Sequence, residues 1–593
     1  MVTLVAGTGS GAAKCGGGRS RSRWVTHLVG VASVGFGGGC GEAGSGAPAD
    51  PTLTEESDTS APEVGAVADG LGADIDTQTD ATSLSANWSG FHDAGGEIAS
   101  YAWAIGTKPG GTEVQDWTTI GGATQATASG LTLLGGTRYY SAVRAVDLVG
   151  NESKPAVSDG TQIDPGQMAT SVSQWGFTWT FAEPERVGQF CNGDWWVLGP
   201  VALVGITPAT TTLEDRTVHG SMVNPVPDGI HGYDSTLYAP YSDDNGESRY
   251  RANLNVAIGV APATPLVLPA GTSLISSESQ ITKPLGGSYS QIRTAAVLTV
   301  VATVPADDAF RPAYTGTDKT VRFRAADLDF ALLSGVETFG DAPDLDATAA
   351  RFERVWLDHT PNWLSRFLHP VDNMPDYGRD FTSLYGTGAV LAQLGVPDAD
   401  KRDLVIRLVQ IGIDHFGNVS NGCNWVGDGG HGSGRKFPIL FAGALLHDPE
   451  MLGIGASHPS GYFGPDAVEN ASWFGEDCQT FVVQETSPDI YNWGSGNYAS
   501  DQANLPEWGI NHTTWIANDD SDWYGDSYRR CCTANAWVGQ TLAALLMGIS
   551  ADWENPAYFD YMDRYMETEP VGEWTRSWDG WQEQMWDQYR PGL

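Results

Sequence analysis

The stretch Ile98–Thr107 reads IASYAWAIGT, with Tyr101, Trp103 and Ile105 on alternate positions. Successive side chains of a strand point to opposite faces, so this spacing predicts a strand with one aromatic, buried face. Working outward, Thr82–Gly90 (TSLSANWSG) alternates Leu84, Ala86 and Trp88. Gly136–Asn151 (GTRYYSAVRAVDLVGN) alternates Tyr140, Ala142, Arg144 and Val146. Short period-two segments separated by glycine-rich turns predict a β-sandwich. The unit runs from about Ala61 to Asp164 and is assigned to residues 63–165.

These three stretches together resemble a fibronectin type III or related immunoglobulin-like module. The resemblance implies a spacer or display unit of the kind common in secreted bacterial carbohydrate-active enzymes. It implies no catalysis of its own.

The next stretch, residues 166–340, is strand-like again. Phe177, Trp179 and Phe181 alternate, and Val201–Ile206 and Ala295–Val304 are β-branched runs bounded by Pro and Gly. A second, larger β-sandwich is expected. From residue 341 to 593 the apolar period becomes helical. Ala349, Phe352 and Val355 predict a helix over Asp346–Trp356, and Asp400 caps one through Leu404, Leu408, Ile411 and His415. Phe437–Leu446 is a buried helix. Thr533 caps another through Trp537, Leu542, Leu545 and Leu546, and a last one runs from Pro556 to about Met566. Long Gly/Trp/Asn-rich loops between helices suggest an α/α barrel or incomplete toroid, with function in the loops.

With 593 residues the chain needs several cores. A formal net charge of −40 excludes nucleic acid and anionic membrane surfaces as partners. Arg19, Arg21 and Arg23, then a short apolar run from Trp24 to Gly39, have the order of an export signal. Gly37-Gly38-Gly39-Cys40 resembles a lipoprotein cleavage box, with Gly37 where Leu is usual, so residues 1–40 are expected to be a leader with Cys40 lipidated. Residues 41–62 read as a flexible tether. An extracellular or cell-surface location follows, with a lipid anchor at Cys40 as the membrane link. Of the remaining cysteines, Cys191, Cys423, Cys478, Cys531 and Cys532, a disulfide from Cys423 to Cys478, Cys531 or Cys532 is expected. The adjacent Cys531-Cys532 pair reads as structural, either cross-linked or buried.

Chemistry concentrates in four loops. They are Asn373–Asp380, Asn424–Lys436, Ser527–Thr533 and Phe474–Cys478. Four glycines within Gly429–Gly434 allow close backbone approach, and His431 among them suits proton exchange near neutral pH. Tyr528 beside Arg529 and Arg530 offers a phenol for acid–base work and guanidinium groups for a carboxylate. β-Elimination at a uronic acid needs a group that neutralises the carboxylate, a base for the proton α to it, and an acid for the leaving oxygen. His431 and Tyr528 fit proton transfer, and Arg435, Arg529 or Arg530 with Asn373 fit the carboxylate. Trp425, Lys436, Tyr377, Arg379, Asp428 and Glu476 are the expected substrate contacts.

This set resembles that of α/α-toroid polysaccharide lyases, in constellation and architecture rather than in a motif string. The resemblance implies a polysaccharide substrate with a uronic acid. The β-sandwich precedes the helices here, whereas several lyase families place it after. A glycoside hydrolase would instead use paired carboxylates among Asp376, Asp380, Asp428, Glu476 and Asp477. A non-catalytic glycan-binding or adhesion protein would use Trp425, Trp473, Trp493, Trp515 and Trp523 as platforms. No cofactor is expected. A structural calcium ion could sit at Asp428 with His431 or at Glu476-Asp477, but no spacing demands one.

Overall fold

The computed structural model describes residues 58–164, 167–238, 241–243, 245–281, 290–426, 429–458, 473–483, 504–508 and 527–593, without the side chains of 527 and 528. The expected leader with Cys40, most of the tether, Asp428 and the Tyr528 side chain therefore lie outside the described residues, as do Trp493, Trp515 and Trp523. No helix among the described residues is long and apolar enough to cross a membrane.

The N-terminal module is a sandwich of two layers, antiparallel except for the parallel pairing of Thr77–Gln78 with Thr161–Ile163. One sheet orders Ala66–Asp69, Ser83–Ser89 and Gln125–Ser129. The other centres on Arg138–Asp147 beside Ile98–Gly106, with Gln115–Gly121 and Thr161–Ile163 flanking them. Leu84, Ala86, Trp88, Trp103 and Ile105 fill the space between, as their alternation predicts. In Arg138–Asp147 the inward phase is the opposite of the expected one. Tyr139, Val143 and Ala145 are the core residues, while Arg144 lies half-buried on the outer face over Trp117. Both phases of that strand carry apolar residues, so alternation alone does not identify the buried side.

The second β region is one eight-stranded sheet folded over on itself. Phe177–Gln189 makes the turn: its first half pairs with Val201–Thr207 and its second with Trp195–Leu198. Trp179, Phe181 and Leu203 from one half meet Leu274, Leu298 and Val300 from the other, giving the sandwich interior. The opposite face of Thr272–Ser279 and Ile292–Val301 is apolar too. Its Ile275, Ile292 and Val297 pack against Val355, Leu357, Leu364 and Phe367 of the following region.

The last region is helical. Gly378–Ala392, Asp398–Ser420, Lys436–Leu445, Ala534–Leu546, Pro556–Thr568 and Gly580–Tyr589 surround a large apolar core. Lys436–Leu445 is buried along its whole length. Two expected boundaries shift. The helix predicted over Asp346–Trp356 is only Leu345–Ala350, and Phe352, Val355 and Trp356 reach the interior from irregular chain. The next helix starts at Asp398 with Pro397 at its N-cap, so Asp400 is a first-turn acid that favours the helix dipole rather than the cap. Thr533 sits at the N-cap of Ala534–Leu546 but makes no capping bond with its side chain.

Candidate functional site

The Gly429–Gly434 loop is where the four chemistry-bearing segments meet. A methyl group on Gly378 would lie 1.7 Å from the Gly430 carbonyl oxygen, and one on Gly430 would lie 2.0 Å from that of Cys532. At Gly475 the nearest atom would be the Gly432 carbonyl carbon, at 2.7 Å. Backbones this close have no room for Cβ, which explains the glycines. Gly434, at φ +90°, then leads the chain into Lys436–Leu445.

Beneath the loop lies a buried charge cluster centred on Asp358, which is 0% exposed. Arg435 donates to it through Nε at 2.8 Å, and the His369 and His415 Nε2 atoms lie 2.9 and 3.2 Å from its oxygens. Burial would raise the Asp358 pKa, but the Arg435 charge and the two imidazole bonds hold it well below the carboxylate range. Burial lowers the pKa of His415. Arg435 also donates to the His431 carbonyl at 3.0 Å and lies 4.0 Å over the Phe381 ring. It thus fixes the loop from below and does not reach solvent.

His431 is half-buried on the outer side of this loop. Its Nε2 lies 3.3 Å from Arg366 Nη1, and its ring meets that of Tyr377 edge-on at 4.6 Å. Arg has donors only, so in this contact the His431 Nε2 carries the lone pair. Arg366 belongs to the short Asn362–Phe367 turn, whose Trp363 packs against Tyr241 of the β region at 4.7 Å. The Tyr238 hydroxyl lies 2.5 Å from that of Thr360, and Tyr233 packs on His359. The β region therefore forms one wall of the site. Arg379 donates to the Cys531 carbonyl at 3.0 Å and lies 3.8 Å over Trp578, which is 44% exposed. Trp578 borders a cleft of about 580 Å³ with Asp344, Arg351 and Asp380.

The other expected site residues are placed as follows. Tyr528 is on the Ser527–Cys531 helix, whose end abuts Gly430. Arg529 pairs with Glu507 at 2.7 Å and Arg530 with Glu569 at 3.0 Å. Asn373 is buried and its amide turns towards the Arg354 carbonyl, at 3.3 Å, away from the loop. Trp425 is 0% exposed in the helical core, stacked with Phe474 and edge-on to His415. Lys436 is buried and donates to Asp477 at 2.5 Å. Glu476 accepts from the Gly434 amide at 2.6 Å and from Gln540 at 2.8 Å, and burial raises its pKa. Sequence reasoning missed Asp358, Arg366 and Trp578. An acid within the otherwise apolar Val355–Leu357 neighbourhood was the available signal, because a buried carboxylate needs a cation.

The expected pairing of Cys423 with another cysteine is corrected. Cys531 and Cys532 are bonded to each other, and Cys423 and Cys478 are buried thiols. Cys423 points instead to the Asp358 carbonyl.

No family model matches the chain, and no curated protein does. The structural neighbours are fibronectin III and related modules. The titin module A71 from human cardiac muscle shares 18% identity over 17% of this chain and 88% of its own, at a TM-score of 0.12. The chicken CNTN1 FN1–FN3 domains share 14% over 40% and 67%, at 0.14. The central fibronectin-III array of RIM-binding protein shares 10% over 43% and 74%, at 0.12. Superpositions at this level carry no argument about activity, and the fold of the N-terminal module rests on its own strand order.

Proposed function

We propose that the chain is an exported carbohydrate-active enzyme that cleaves a uronic-acid polysaccharide by β-elimination, its helical region being an incomplete α/α toroid. The observation that carries the reading is the meeting of an imidazole, a phenol and a guanidinium at His431, Tyr377 and Arg366. His431 takes the proton α to the uronate carboxylate. The electron pair left behind forms the new C=C bond as the glycosidic C–O bond breaks, and the leaving oxygen takes a proton from a phenol. Tyr377 is the placed phenol, and Tyr528 is a second one on an adjoining segment. Arg366 faces the carboxylate, while Arg379, paired with Asp380 at 2.8 Å, holds Trp578, and Arg435 is a positioning residue that holds the loop. Trp578 is a platform for a neighbouring sugar ring. Two-carboxylate hydrolysis has less support: Glu476 and Asp477 are 0% and 1% exposed and committed to internal partners, and Asp380, on the cleft, is paired with Arg379 at 2.8 Å.

The test is ultraviolet absorbance during incubation with alginate, glucuronan, hyaluronan, chondroitin, heparinoids, pectate and ulvan. The expected result is new absorbance from an unsaturated uronate on one substrate. His431→Ala should lower that rate by about 10²–10⁴-fold, as loss of a general base does. Shorter products without absorbance would establish hydrolysis instead. Binding without cleavage would make the chain a glycan-binding protein.

A further inference from the structure

The N-terminal module carries a second cluster with its own chemistry, remote in sequence from His431. Asp69 ends the strand Ala66–Asp69 and is 1% exposed, and its Oδ2 has no hydrogen-bond partner among the described residues. One carboxylate oxygen each from Asp69, Asp74 and Asp159 lies within 4.8 Å of the others. Asp74 is fixed by accepting the Asp69 amide at 2.7 Å. Arg138 donates to the backbone carbonyls of Asp159 and Gly160 and forms no ion pair with the three carboxylates among the described residues.

We propose that Asp69, Asp74 and Asp159 bind a divalent cation, calcium by preference. A buried carboxylate oxygen without a donor is costly unless a positive charge faces it. Oxygen-only ligands suit a hard cation, and Ca–O distances of about 2.3–2.6 Å place two ligands up to about 5 Å apart. Magnesium demands near-octahedral geometry and dehydrates reluctantly, whereas calcium accepts an irregular set of oxygens. Burial, and after it the charges of Asp74 and Asp159, push Asp69 up to about 6 against the pull of the Ser158 hydroxyl. A cation would relieve that repulsion. Asp69 belongs to the three-stranded sheet, and Asp159 joins Ala156–Val157 to Thr161–Ile163 in the other, so the ion would tie the two layers together.

The experiment is calorimetric titration of calcium chloride into the chelator-treated full-length protein, with magnesium chloride in parallel. Calcium binding is expected, with magnesium at least about tenfold weaker. The double variant Asp74→Asn/Asp159→Asn, at two exposed positions, should lose this site or about tenfold or more in its affinity. Asp69→Asn should do the same while folding as well as wild type in chelator, since it removes a buried charge. A separate trio, Asp58, Asp93 and Asp147, also meets within 4.8 Å, so Asp93→Asn is the control that should leave the Asp74/Asp159-dependent binding in place. Absence of calcium binding, or binding that Asp74→Asn/Asp159→Asn leaves unchanged, would overturn the assignment.

Discussion

The Asp358 carboxylate has three partners in Arg435, His369 and His415, its backbone bonds Tyr314, Asn418 and Cys423, and none of these is water-exposed. Breaking such a cluster from one side leaves an uncompensated charge inside the protein. Arg435→Met should therefore cost about 3–5 kcal/mol of stability, measured by chemical denaturation. Asp358→Asn should cost somewhat less, because the amide keeps one acceptor for Arg435. Cluster members were only partly legible in the sequence. His431 and Arg435 stand out because the glycines around them do, but Asp358 lies in an irregular stretch with no periodicity to flag it. Arg435 and Lys436 are adjacent in sequence and both looked available to a ligand. Each has instead found a buried carboxylate, which composition cannot reveal in a chain with 72 acids.

Elements are positioned by close backbone contacts as much as by apolar faces. Gly378 opens the Gly378–Ala392 helix directly against the Gly430 carbonyl. Gly378→Ala must push the helix and the His431 loop apart, and overpacking of this kind costs about 1–3 kcal/mol. The expected signature is a lowered melting temperature together with loss of the proposed activity, whereas Gly122→Ala, where a methyl group would meet nothing within 4 Å, should leave both unchanged. Strands and long helices were legible because their periods repeat over many residues. The helix ends, the buried phase of Arg138–Asp147 and the short helix Leu345–Ala350 were not, since each is decided by partners far along the chain. Arg354, for example, leaves the helical path to meet Asp372 and Thr294.

At the scale of the whole molecule, acid response combines groups of opposite sign. Burial holds His231 and His359 neutral down to about pH 3. Their unfolded forms take up protons from about pH 6.5, so their contribution to stability is lost as pH falls from 6.5 towards 3. Asp358, depressed by Arg435 and by the two imidazole bonds, adds a loss confined to pH below about 4. Asp69 works the other way: its raised value makes the N-terminal module less stable as pH rises from about 4 to 6 in the absence of a cation. Fluorescence-monitored denaturation in chelator at pH 4, 5, 6 and 7 should therefore show the main body gaining stability with pH while the module loses it. Calcium should abolish the module's loss.

Val355, Leu357, Leu364 and Phe367 complete the apolar face of the folded-over sheet, and Arg311 joins Asp194 of the β region to Asp414 of the helical region at 2.6 Å each. The N-terminal module, by contrast, closes a core of its own. Domain shuffling can therefore act on only one joint of this protein. The module is a cartridge that another chain could acquire whole, whereas residues from 167 onward must be inherited together. A split near residue 340 would give two sticky fragments, each insoluble without the other.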